Sequence, residues 1–386
     1  MGKRVLSMLL IVVLVLSLAS CSSAGQTNAA PPASGSQPAE AKNYGTPEFN
    51  WRFQLVHQPG QPEYELYKQA CEDIYKISGG RLKIDLYAGG TLATSTEAFQ
   101  ACGDGAFEMN TSWPVYMKGI EYAFVAAGDG EPMSMAWEDK MVWMYEGGGW
   151  EQMQKAFDKV NLHMISFGMQ TANVLLANDA FKSFAEMKGK NFRTSAGEVA
   201  RIAGITPVSL PLEEVFTAFS GGTVDMAEFG TLIYNVGLGI NDVAKYGIYP
   251  DFWNVSNTEC TVVNKSAWEK LPEDLKLLVS NTFKAYAFRT TTILEYQSAL
   301  KMKEYVDSGA MKFIRLPDED MVKARAEMYK ITREYAETKG ELTKETYKKL
   351  DEFYSVFYPY REVSRWWGSG LTSDEAAGFD VKSYIE

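Results

Sequence analysis

The chain has 386 residues, 46% of them hydrophobic and 13% aromatic, with a formal net charge of −11. That length exceeds the ~250–300 residues at which a single core stops growing, so two lobes are expected. An acidic balance without a basic stripe argues against nucleic acid, whose binding is dominated by phosphate neutralisation.

At the N-terminus, Lys3 and Arg4 precede an almost unbroken apolar run from Val5 to Leu18. The run is shorter than the ~20 residues that span a bilayer and has the form of a signal h-region. Leu18-Ala19-Ser20-Cys21 then resembles the lipobox of bacterial lipoproteins, in which the cysteine takes the lipid. Residues 1–20 are therefore expected to be a lipoprotein signal peptide and Cys21 the lipidation site. Residues 21–43, mostly Ser, Gly, Ala, Pro and Gln, cannot bury enough apolar surface to fold and form a flexible tether. The expected location is the cell envelope, lipid-anchored to a membrane and facing the periplasm or the cell exterior.

Strand and helix alternate through the first part of the body. Trp51, Phe53 and Leu55 alternate with polar residues as in a half-buried strand, and Tyr64, Tyr67, Cys71 and Ile74 recur at helical spacing. Leu82, Ile84 and Leu86 make a second strand, Glu97–Cys102 a short helix and Phe107–Asn110 a third strand. Such an order implies parallel strands with helices on the sheet. Further strands are expected at 162–167, 173–177, 192–195, 207–210, 224–227 and 258–264, with helices at 198–203 and 212–220. Beyond Pro272 a helical rhythm runs through Leu275, Val279, Phe283 and Leu294 to about Val306, long enough to brace two lobes. Met311–Leu316 is a last strand, and Pro317 opens a helical tail with Glu/Lys pairing.

Apart from Cys21 the cysteines are Cys71, Cys102 and Cys260. An odd number permits one internal disulfide at most, and Cys71–Cys102 is the expected pair if one forms. His57 and His163, both placed in strands by this pattern, share no zinc-ligand spacing with the cysteines. A Gly-x-Ser-x-Gly elbow and paired carboxylates spaced for glycoside work are also missing, which argues against a secreted hydrolase.

Several motifs then follow in order: Ser78-Gly79-Gly80-Arg81-Leu82-Lys83-Ile84, Met187-Lys188-Gly189-Lys190-Asn191-Phe192-Arg193, Pro207-Val208-Ser209-Leu210-Pro211-Leu212-Glu213-Glu214-Val215 and Gly222-Thr223-Val224-Asp225-Met226-Ala227-Glu228. Together they resemble the extracytoplasmic solute receptors of tripartite ATP-independent periplasmic (TRAP) transporters. Gly147-Gly148-Gly149, Phe167-Gly168-Met169-Gln170 and Tyr249-Pro250-Asp251-Phe252-Trp253 are similar to the 2-oxoacid-binding group. The resemblance implies an α/β, two-lobed periplasmic-binding-protein-like (type II) fold with hinge strands and a long bracing helix. It implies lobe I at 44–167 plus about 256–285, lobe II at 168–255, and a helical tail at 286–386 packing on both.

It also implies no catalysis, but capture of a 2-oxo or 2-hydroxy monocarboxylate, with Ca²⁺ or Na⁺ beside it, for a sodium-coupled permease. Arg193 matches the arginine that clamps the carboxylate, with the ligand rather than the core as its expected partner. Gln170 matches a glutamine shared by substrate and cation, while Glu228 and the Phe229 carbonyl match cation ligands. Where the group carries a second carboxylate this chain has Asn254, which offers a carbonyl oxygen but one charge fewer. Glu259, nearby in sequence, is a candidate to restore that charge. Trp113, Tyr116 and Trp253 are candidate walls of the substrate site. An ABC-importer receptor shares the same fold logic and stays open as an alternative.

Overall fold

The computed structural model describes residues 44–126, 135–194, 204–249, 251 and 256–368. The expected leader, lipobox and tether, the helix at 198–203, and Trp253 and Asn254 lie outside these residues. Among the described residues, no helix is long and apolar enough to cross a membrane.

Two sheets organise the body. In the first, β1 (Phe49–Gln54) pairs in parallel with β2 (Leu82–Tyr87) and β3 (Met109–Ser112), with the helices Pro62–Ile77 and Ala98–Gly103 as crossovers. β10 (Asn257–Asn264) enters antiparallel between β3 and β4 (Leu162–Gln170), giving the order β2-β1-β3-β10-β4. Every residue of β10 is buried, as expected of a strand paired on both edges and covered on both faces. The second sheet has the order β11-β9-β5-β8-β6-β7. It contains β5 (Asn173–Ala177), β6 (Asn191–Arg193), β7 (Thr206–Val208), β8 (Met226–Thr231), β9 (Tyr246–Tyr249) and β11 (Lys312–Arg315). β11 is therefore an edge strand of the second sheet, supplied by the segment expected to be only helical tail plus one strand.

The chain crosses between sheets where β4 ends at Gln170 and β5 begins at Asn173, and it returns between β9 and β10. β4 keeps its first-sheet pairing as far as Gln170↔Asn257, so the expected boundary after Phe167 falls inside a strand. The helix Glu273–Ser308 braces this crossing. Its 36 residues span on the order of 54 Å at 1.5 Å per residue. It packs on β4 and the Pro62–Ile77 helix at one end, and on the Leu232–Gly237 helix, β8 and β11 at the other. At the crossing the Thr291 hydroxyl accepts the Met169 backbone N–H at 3.0 Å, satisfying a buried donor next to the strand end.

Some local expectations change. Leu212–Ser220 splits into a 3-10 turn, Leu212–Glu214, and a helix, Val215–Ser220. His57 sits in the loop after β1, because the strand stops at Gln54. Cys71, Cys102 and Cys260 are all buried thiols outside any disulfide. Cys71 lies on the Pro62–Ile77 helix in one apolar cluster and Cys102 in another, so the expected pair does not meet.

The tail helices Asp318–Thr338 and Glu341–Gly368 pack on each other, and the second docks on the Gly149–Asp158 helix of lobe I. Glu121 ties this docking together: it pairs with Lys159, accepts the Thr343 hydroxyl at 2.8 Å and accepts the Ala123 N–H at 3.1 Å. Burial raises its pKa, but these partners outweigh that and hold it below its ordinary value. A depressed folded pKa contributes stability that is present above the unfolded pKa and lost as pH falls through the folded one. Urea unfolding of Glu121→Gln against the parent should therefore show a deficit at pH 7 that shrinks on acidification. A deficit independent of pH would remove the carboxylate from that role.

Candidate ligand-binding site

Arg193 closes β6, a three-residue strand held in parallel between β8 and β7. It is 2% exposed, although arginines are almost never buried without partners. Its Nη1 donates to the Glu228 carbonyl at 3.0 Å and its Nη2 to the Leu210 carbonyl at 3.1 Å. From lobe I, Tyr116 brings its hydroxyl to the same guanidinium; burial raises the phenol pKa and Arg193 partly offsets this. Tyr116 stands edge-on to Trp113 (centroids 5.8 Å), and Trp113 edge-on to Tyr234 (5.7 Å) on the short helix after β8. Arg193, Tyr116 and Trp113 are thus brought together across the two lobes. Ser95 Oγ, which donates to Glu213 at 3.2 Å, and Gln61 Nε2, which donates to the Tyr234 carbonyl at 3.2 Å, join the lobes beside them. The cleft is closed.

Gln170, at the end of β4, meets β8 at Gly230 and Thr231, just after the Glu228-Phe229 pair. Gln170 is 1% exposed, and its Oε1 accepts the Thr231 N–H at 3.3 Å. Gly230 has φ +74°, and a Cβ there would stand 2.4 Å from Gln170 Oε1. Only glycine both adopts that backbone and lets the amide lie against the chain one residue after Phe229. Among the described residues no three His, Cys, Asp or Glu side chains converge as metal ligands. Gln170 offers an amide oxygen and Glu228 a buried carboxylate, and oxygens of this kind fit a hard cation and not zinc.

Glu259 is placed elsewhere. Its Oε1 accepts the Tyr67 hydroxyl and its Oε2 meets His57 Nε2, both at 2.6 Å and all buried. Both carboxylate oxygens being engaged in lobe I, Glu259 is not delivered to Glu228 as a replacement charge. His57 lies flat against Tyr67 (14° between planes) and edge-on to Tyr234. Burial lowers the His57 pKa, but the charge of Glu259 outweighs it and the net shift is upward. Glu63, in the first turn of the Pro62–Ile77 helix, is 0% exposed, and burial pushes its pKa up. Sequence reasoning named Glu259 but not its grouping with His57, Tyr67 and Glu63, because each of those is unremarkable in isolation. The available signal is the polar string His57-Gln58-Pro59-Gly60-Gln61-Pro62-Glu63 directly after a parallel strand, where open α/β sheets bind ligands.

Residues 53–339 match the bacterial extracellular solute-binding proteins of family 7. The chain belongs to that family. Family-7 members are solute-binding proteins, and this one is built on two sheets with its lobes in contact. A relative from Nostoc sp., a monocarboxylate 2-oxoacid-binding periplasmic protein, is 24% identical over 327 residues, 83% of this chain and 88% of its own. Among solved structures, a TRAP transporter solute-binding protein of Bordetella bronchiseptica with copurified calcium and picolinate has a TM-score of 0.77 at 22% identity. The match covers 83% of this chain and 96% of that one. A TRAP periplasmic solute-binding protein of Pseudoalteromonas atlantica with bound sodium and pyruvate has a TM-score of 0.75 at 21% identity, covering 82% and 97%. The family-7 receptor described here therefore has the two-lobed α/β fold that its motifs implied.

Proposed function

We propose that this receptor captures a small 2-oxo or 2-hydroxy monocarboxylate between its lobes and delivers it to a sodium-coupled TRAP permease. Arg193 carries the proposal. A guanidinium fork buried in a closed interlobe site, steadied on two carbonyls and faced by Tyr116, suits a desolvated carboxylate. Gln170, the Phe229 carbonyl and Glu228, with Asn254, would hold Ca²⁺ or Na⁺, which would neutralise part of the ligand's charge in the closed site. Trp113, Tyr116 and Trp253 would wall the site. Cys21 would take the lipid that keeps the receptor at the membrane.

The test is thermal unfolding with a panel of 2-oxo and 2-hydroxy acids, with and without Ca²⁺ or Na⁺. A cognate acid at 100 times its Kd should add about 2.7 kcal/mol. No stabilisation by any carboxylate would overturn the proposal. Exhaustive chelation and sodium removal should weaken the best acid at least tenfold; unchanged affinity would remove the cation and assign Glu228 another role.

A further inference from the structure

Several buried polar atoms around the interlobe site have no hydrogen-bond partner: both Glu63 carboxylate oxygens, His57 Nδ1, Trp113 Nε1, Gln170 Nε2 and the Tyr234 hydroxyl. All five residues are at most 5% exposed. Each such orphan costs on the order of 1–3 kcal/mol, so native proteins keep few of them and seldom together. These come from four separate segments of both lobes and are linked through ring contacts and charge. Tyr234 is edge-on to His57 (5.6 Å) and to Trp113 (5.7 Å), and Trp113 leads through Tyr116 to Arg193. The Gln170 amide lies beside Glu63 and favours its charged form, though burial outweighs this. Arg193 marks one pole of the site; the orphaned atoms around Glu63 mark another.

We propose that Glu63, with Trp113 Nε1, Gln170 Nε2 and the Tyr234 hydroxyl around it, receives a hydrogen-bond donor of the ligand. The acid bound at Arg193 then carries a hydroxyl or an ammonium and not a keto oxygen alone. The inference rests on the carboxylate-receptor reading above and narrows its ligand class. A carboxylate offers only acceptors when ionised, whereas indole N–H is a donor only. A keto oxygen turned toward Glu63 would set acceptor against acceptor. A hydroxyl can donate to Glu63 and accept from Trp113 or Gln170, and an ammonium can donate to Glu63 and neutralise it. Either would satisfy atoms that the protein leaves unsatisfied, and the first turn of the Pro62–Ile77 helix adds its positive dipole end to hold the carboxylate there.

Calorimetry with pyruvate, lactate and alanine, matched in skeleton, tests this on the full mature chain. The parent should bind lactate or alanine at least tenfold more tightly than pyruvate. Glu63→Leu should bring that ratio to near one, and its ligand-free form should stay folded, since removing a fully buried carboxylate relieves its desolvation. Glu63→Gln keeps an acceptor oxygen without the charge: a preference for lactate should survive it, and a preference for alanine should not. If the acids bind but their ranking is unchanged in Glu63→Leu, or if that variant loses only its response to Ca²⁺ or Na⁺, the proposal is overturned while the receptor reading stands. If none of the acids binds and Arg193→Ala changes nothing, the receptor reading itself has failed.

Discussion

Arg193→Ala is expected to lose on the order of 2–5 kcal/mol of carboxylate binding, the range for truncating one half of a buried charge pair, or roughly 30- to 5,000-fold in Kd. A carboxylate enclosed between lobes leaves water and needs a paired, hydrogen-bonded cation in its place. Arg193 meets that need because β6 and β8 deliver it buried and pre-oriented, with Nη1 on Glu228 and Nη2 on Leu210. The same two bonds change what the mutation does to the fold. An arginine whose partner was the ligand alone would leave the apo protein untouched. Here the alanine variant strips a donor from two carbonyls, at about 1–3 kcal/mol for each buried group left unsatisfied. The melting temperature of the ligand-free variant should therefore fall as well. Arg193→Lys should recover only part of both losses, because a point charge replaces a fork. Calorimetry paired with denaturation curves separates the two effects, and an Arg193→Ala affinity within threefold of the parent would place the carboxylate elsewhere.

Glu259→Leu is expected to destabilise by about 3–5 kcal/mol, the cost of removing one half of a buried ion pair. His57 and Tyr67, both buried, would each lose a 2.6 Å partner. Urea unfolding is the measurement, with Glu259→Gln as the milder variant that keeps an acceptor for Tyr67. The pH dependence has a definite sign. His57 is raised above its ordinary 6.5, so its contribution is complete below that pH and is lost as pH rises through the folded value. Glu63, also raised, acts in the same direction. The parent's advantage over Glu259→Gln should therefore shrink on the basic side. Equal stability of parent and Glu259→Leu, with loss of the response to Ca²⁺ or Na⁺, would restore Glu259 to the cation site that its position in sequence had suggested.

Local periodicity was enough to locate β1, the Pro62–Ile77 helix, β2, β4, β5 and the helix from Pro272 onward, because alternation and helical spacing state which face of an element is buried. Glu228 and the Arg193 segment were legible for a different reason: they sit inside ordered motifs that resemble a known receptor family. Helix Leu232–Gly237 and β9 were not, each being short and without a clear alternation of apolar and polar residues. Nor does a pattern within one element say which distant element will cover it. β10 lies between β3 and β4 although it follows β4 by nearly a hundred residues, and that pairing alone brings Glu259 to His57, 202 positions away in sequence. In the sequence Glu259 is one more carboxylate near a cation motif, and Glu63 is an ordinary acidic residue in a helix's first turn. Tertiary packing decided both. By closing two lobes over the end of β4, it removed water from groups that are harmless in solvent. Desolvation then tied Glu259 to His57 and Tyr67 and left Glu63 facing the ligand site without a partner.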